Sequence, residues 1–173
     1  TVILSTVTLA GNSVTGSGAW GGAVYNTIGT VVFNGDTLIG LNYTHTRGAI
    51  ASDAGSIIFN GKTTFYNNSG RGSSVDSALL AYNNATIIFN DKALFDSNTA
   101  NSETAFTIWT NSTVKFNDDV TFKNNISNAH TGALRNATNC TTIFEKNAEL
   151  ISIVAKSGYG GAISNVDNDV VIF

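Results

Sequence analysis

Proline and methionine are absent from this chain of 173 residues, cysteine occurs once, and charged residues make up only 12%, about half the share usual in globular domains. Each scarcity excludes something. A lone Cys140 allows no disulfide framework and no cysteine-based metal cluster, and reads as a buried or incidental thiol, with intermolecular pairing the alternative. A net charge of −3 gives no electrostatic grip on nucleic acid or on an anionic membrane. No apolar run approaches the ~18 residues of a spanning helix, so no membrane insertion by this segment is expected. A signal-peptide pattern is also missing and the first residue is Thr1, which predicts a mature or excised segment of a longer protein.

What the chain has instead is repetition. SIIFNGKTTFYNN from Ser56 is followed by TIIFNDKALFDSN from Thr86 and TVKFNDDVTFKNN from Thr113. The aromatic anchor of this phrase recurs as Phe33, Phe59, Phe89, Phe116, Phe144 and Phe173, in steps of 26 to 30 residues, and Ile3 is read in the same phase. Six positions later come Leu9, Ile39, Phe65, Phe95, Phe122 and Leu150; three further on come Asn12, Asn42, Asn68, Asn98 and Asn125, until Ile153 breaks the series. A third series pairs alanine with an apolar residue: Ala23-Val24, Ala49-Ile50, Ala78-Leu79, Ala105-Phe106, Ala133-Leu134 and Ala162-Ile163.

The physical unit follows from the run lengths. Helical repeats need runs of 10 or so residues at helical period, whereas these runs are short, β-branched and alternating. Asn-Gly, Asn-Asp and Gly-rich turns separate them. Three short strands per repeat fit neither a four-stranded propeller blade nor the dense leucine frame of a leucine-rich repeat. The expected fold is all-β: a right-handed parallel β-helix, three-sided, of about six coils, forming one β-solenoid domain over residues 1–173.

In such a solenoid like residues stack. The six phenylalanines are expected to form an interior column, flanked by Val31, Ile57, Ile87, Val114, Thr142 and Val171. Asn34, Asn60, Asn90 and Asn117 are expected to turn the chain in the left-handed conformation and to bond from coil to coil, with Asn42, Asn68, Asn98 and Asn125 doing the same at a second corner. The connection to the alanine anchor varies most in length, which points to segments Ser13–Gly22, Ser69–Ser77 and Val154–Gly161 as the place for function.

The third anchor reads GGAV at Gly21, RGAI at Arg47, TGAL at Thr131 and GGAI at Gly160; the second reads FYNN at Phe65, FDSN at Phe95 and FKNN at Phe122. This alternation of GGA-apolar and FxxN motifs resembles the polymorphic membrane proteins of chlamydiae and related repeat surface proteins. The resemblance covers the whole chain, with departures at Ser77-Ala78, Thr104-Ala105 and Leu150–Ile153. It implies a β-helical autotransporter passenger displayed outside the cell, acting in adhesion and in some cases self-associating.

Candidate chemistry is sparse. Asp91 and Asp118 share a corner position in adjacent coils with Asp119 beside them, a pattern open to a glycosidase pair, a Ca²⁺ site or a solvated turn. Asp36, Lys62, Lys92 and Asp119 form a column of mixed sign. Arg47, Arg71 and Arg135 are read as non-convergent, and His45 and His130 as surface residues. Trp20 and Trp109, extended by Tyr25 and Tyr82, are either sugar platforms or covers for the coil. Sequons at Asn42, Asn67, Asn84, Asn111, Asn125, Asn136 and Asn139 barely exceed chance in a chain with 22 asparagines. Ice binding would need a regular outward threonine column, and Thr8, Leu38, Thr64, Leu94, Thr121, Glu149 is not one. A stripe of Val32, Ile58, Ile88, Ile143 and Ile172, interrupted by Lys115, faces away from the phenylalanines and is a candidate contact surface.

These features predict an extracellular or cell-surface structural protein, adhesin-like, with no cofactor, no metal and no catalytic residue. Its expected partners are a protein or glycan on a host or neighbouring cell, with end-to-end or lateral homotypic association also open. A self-stacking fibre subunit is the second reading, drawn from uncapped ends, and a carbohydrate-active enzyme the third.

Overall fold

The computed structural model describes residues 1–72, 78–102 and 105–173. They form 25 strands and no helix, so among them none is long and apolar enough to cross a membrane. Every strand pairing is parallel and joins one coil to the next, which makes the molecule a parallel β-solenoid.

Four sheets run along it. The first has seven strands, among them Thr30–Phe33, Ser56–Phe59, Thr86–Phe89 and Thr113–Phe116; the other three have six each. The second includes Thr63–Tyr66 and Ala93–Asp96, and the fourth includes Leu79–Tyr82 and Phe106–Trp109. Three strands per coil were expected. A fourth is present between the second and third of these, only two residues long, as in Ser69–Gly70 and Thr99–Ala100. Two residues carry no readable alternation, so the pattern does not announce this strand; only pairing between coils creates it.

The interior is the expected set of columns. Phe33, Phe59, Phe89 and Phe116 stack face to face at 4.8 Å between successive rings, Phe144 follows at 5.2 Å and Phe173 at 5.0 Å. This is the coil-to-coil spacing of a parallel sheet imposed on the side chains. A second column, Phe65, Phe95 and Phe122, stacks at 4.7 Å and meets the first edge-on. Phe106 replaces an aliphatic residue of the third series and contacts Phe89, Phe95 and Phe116.

Two expectations need correction. Ile3 does not share the phase of the phenylalanines: Leu4 pairs with Phe33, and Ile3 pairs with Val32 on the outside. The first coil has one residue fewer between Leu4 and Val7, so counting back from Leu9 misplaces the anchor by one. Thr6 packs against Gly35, where a Cβ would lie 2.6 Å from Thr6 Oγ1.

The asparagines that follow the phenylalanines are also not the left-handed residues. Positive φ occurs instead one residue before the second ladder, at Leu41, Asn67, Ser97 and Asn124, and at the corner leading into the first sheet, at Asn83, Asn84, Thr110, Asn111, Thr138 and Asn139. Asn34, Asn60, Asn90 and Asn117 do form the expected outer ladder, each Nδ2 donating to the preceding Oδ1 at 2.7–2.9 Å. Bonding between coils, rather than an unusual φ, is what places asparagine there.

The inner ladder is a closed accounting of hydrogen bonds. Asn42, Asn68, Asn98 and Asn125 are no more than 1% exposed. The Oδ1 of Asn68 accepts from both the backbone N and the Nδ2 of Asn42, and its own Nδ2 donates to Ile39 O and to Asn98 Oδ1. The same set recurs around Asn98. An amide is the side chain that supplies both two acceptor sites and two donors, so it can serve the coils on either side. Burial without a lost hydrogen bond is the result.

Candidate functional surfaces

With the interior occupied by ladders, reactive or binding groups must lie outside. The stripe Val32, Ile58, Ile88, Ile143, Ile172 forms one register column with Ile3 and Lys115. Its middle members are half-buried by their own neighbours, and exposure is high only at Ile3 (66%) and Ile172 (47%). Lys115 bridges to Glu145 at 2.7 Å. Stacking thus removes much of the apolar surface that the sequence advertises.

The outer side of the fourth sheet and its flanking turns carry a cluster of large side chains. Trp20 lies 5.5 Å from both Tyr25 and Tyr82, and Tyr82 lies 6.2 Å from Trp109. The Arg47 guanidinium sits over Trp20 and over Trp109, at 5.5 and 4.8 Å; Arg135 sits 5.9 Å from both Trp109 and Tyr159. His130 stacks on Tyr159 at 5.3 Å. Cations over aromatic faces are attracted by the ring quadrupole.

The expectation that Arg47 and Arg135 do not converge is therefore corrected. Register explains it: Arg135 pairs with Thr107, and Trp109 is two residues along the same face, a diagonal neighbour. Arg71 remains apart, beside Asn101, which donates to its carbonyl. The layer covers the outside of the sheet, since Ala51 and Leu80, which point away from the core, are both 0% exposed. Tyr25 and Tyr159 form its open rim, at 50% and 70% exposure. Of the three variable segments, Ser69–Ser77 lies partly outside the described residues, at 73–77, as do Ser77 and Thr104 of the departing motifs.

Two carboxylates at the first corner, Asp118 and Asp119, have their pKa values lowered. Asp118 is lowered by the Asp119 backbone amide and by Lys146, which it meets at 3.3 Å. Asp119 is lowered chiefly by Lys92, at 3.0 Å. A glycosidase acid needs its pKa raised instead, so neither fits that role. Asp96 is pushed up by burial, but bonds from Ser97, Asn124 and Lys123 outweigh this and leave it lowered. Asp169 and the Cys140 thiol are raised by burial. Among the described residues no three His, Cys, Asp or Glu side chains group around a metal position.

A pH dependence follows. Asp96, Asp118 and Asp119 have folded pKa values below their unfolded ones, so the stability they contribute is present above about pH 4 and is lost as pH falls through the folded values. The urea midpoint is expected to fall on acidification below about pH 4, and a Lys92→Ala, Lys146→Ala variant is expected to show a shallower fall.

The sequons divide by burial. Asn42, Asn125 and Asn136 are 0–1% exposed, and a glycan cannot be accommodated there in the folded chain. Asn67, Asn84, Asn111 and Asn139 are exposed, the last three at equivalent corners of successive coils.

The fold defines the class: a repeat protein of the parallel β-solenoid type. Comparison of the chain with protein-family models, with curated proteins and with solved structures finds no match.

Proposed function

We propose that this chain is a rigid, extracellular β-solenoid shaft that acts by binding, in the manner of an adhesin, through the aromatic–arginine layer on its fourth sheet. The observation that carries this reading is the composition of that layer. Trp20, Tyr25, Tyr82, Trp109, Tyr159, Arg47 and Arg135 gather on one face of a chain otherwise dominated by Asn, Ser, Thr and Gly. Tryptophan, tyrosine and arginine are the residues that dominate protein–protein hot spots. The partner is a protein on a host or neighbouring cell, and the resemblance of the GGA-apolar and FxxN motifs to chlamydial surface proteins supports that setting. The interior ladders supply what display requires, a long core that is stable without disulfides.

The purified chain is expected to bind protein-bearing cell surfaces, and trypsin treatment of those cells is expected to abolish binding. Replacing the rim residues, Tyr25→Ser with Tyr159→Ser, is expected to weaken binding by about tenfold or more with an unchanged melting temperature. Undiminished binding by that variant would exclude the layer as the contact.

A further inference from the structure

On the second sheet, which follows the stripe's sheet along each coil, two open troughs adjoin. One encloses about 450 Å³ between Lys62 and Glu149; the other, about 320 Å³, continues it toward Thr6 and shares Lys62 and Thr64 with it. Together they form a channel along the solenoid axis. Its floor is the outward column Thr8, Leu38, Thr64, Leu94, Thr121 and Glu149, aligned by strand register. Its wall is the corner column of Asp36, Lys62, Lys92 and Asp119.

The floor alternates hydroxyl and isobutyl groups from Thr8 to Thr121, one residue per coil. The coils are about 4.8 Å apart, so the pattern repeats about every 9.6 Å along the axis. This series is too irregular for a flat hydroxyl array, but it is regular at twice the coil spacing. The occupant it fits is a linear polymer whose unit advances by about one coil and whose successive units alternate in what they present. Charge fixes its character further. Lys62 and Lys92 are balanced by Asp119 and Glu149 within the larger trough, Lys92 is bridged to Asp119, and Thr121 donates to Glu149 at 3.3 Å. With Asp36 in the smaller trough the channel carries two lysines against three carboxylates, a net charge of −1, which does not select a polyanion.

We infer that this channel is a binding site for an uncharged, linear polysaccharide of pyranose units, lying parallel to the solenoid axis. The sugar rings place their C–H faces on Leu38 and Leu94, and their hydroxyls exchange hydrogen bonds with Thr64, Thr121 and Asn147. An extended peptide fits less well. The backbone of the second sheet is spent on bonds between coils, so no free strand edge runs along the channel to pair with peptide groups. This site is separate from the aromatic–arginine layer and does not depend on it.

The test is a titration of the ¹⁵N-labelled chain with four probes: linear hexasaccharides of β-1,4-glucose and of β-1,4-N-acetylglucosamine, hexagalacturonate, and an unstructured polar hexapeptide. An uncharged hexasaccharide is expected to shift the amides of Thr64, Leu94 and Thr121, and its disaccharide to bind at least about tenfold more weakly because it spans fewer coils. Removing the apolar platforms with Leu38→Ser and Leu94→Ser is expected to weaken the hexasaccharide by at least about tenfold, whereas Tyr25→Ser with Tyr159→Ser leaves it unchanged. Absence of shifts with both uncharged hexasaccharides overturns the inference, and does so on the wild-type chain whatever the variants do. Tighter binding of the galacturonate or the peptide, or shifts confined to the fourth sheet, also overturns it.

Discussion

Replacing Phe89 by alanine is expected to destabilise the chain by about 3–5 kcal/mol, the largest effect expected of any apolar truncation. The ring stacks on Phe59 and Phe116 and meets Phe65, Phe95 and Phe106 edge-on, and it is 0% exposed. Its loss opens a hole that the backbone is poorly placed to close, because every strand around it is fixed by pairing on both sides. For a chain of this size the melting temperature is expected to fall by roughly 6–20 °C. Phe144→Ala is the comparison: Phe144 has two aromatic partners, Phe116 and Phe173, and a smaller fall is expected. Equal falls in calorimetry would mean that the aromatic column adds nothing beyond the area each ring buries.

The second large effect is expected at Asn68. Asn68→Ala strands three buried groups at once: the backbone N and the Nδ2 of Asn42, which lose their acceptor, and the Ile39 carbonyl, which loses its donor. At about 1–3 kcal/mol for each unsatisfied group, the sum is about 3–9 kcal/mol. Asn68→Asp separates hydrogen bonding from size. The isosteric carboxylate keeps an oxygen facing Asn42 but sets a second one against Ile39 O and Asn98 Oδ1, where donors were needed. Burial and these oxygens disfavour the charge and raise the folded pKa above the unfolded value of about 3.9. The variant therefore binds its proton more tightly when folded, and its stability falls as pH rises through that interval. Relative to wild type, Asn68→Asp is expected to be far weaker at neutral pH than at about pH 4 in urea titrations. A deficit that does not change with pH would show that the ladder position is solvated.

How much of this was legible in the sequence depends on how far each feature repeats. The phenylalanine column, the alanine series and both asparagine ladders were readable because a stacked coil needs the same residue at the same phase. The left-handed positions were not: Leu41, Asn67, Ser97 and Asn124 share a φ but not a residue type, so no letter marks them. The phase of the first coil was missed for a similar reason, since one deleted corner residue shifts Ile3 outward without altering the apolar pattern. The meeting of Arg47 with Arg135 over Trp109 was missed because the two arginines stand at different phases of the repeat, and it takes a diagonal contact across strand register to bring both over one ring.

By itself, the sequence determined the coil: its length, its apolar and asparagine positions, and the parallel stacking those positions demand, because interior contacts recur at a fixed period. Tertiary structure alone decided what stands on the outside. There the neighbours come from different coils, separated by chain segments of unequal length, and only the register of the stacked strands brings the aromatic–arginine layer together.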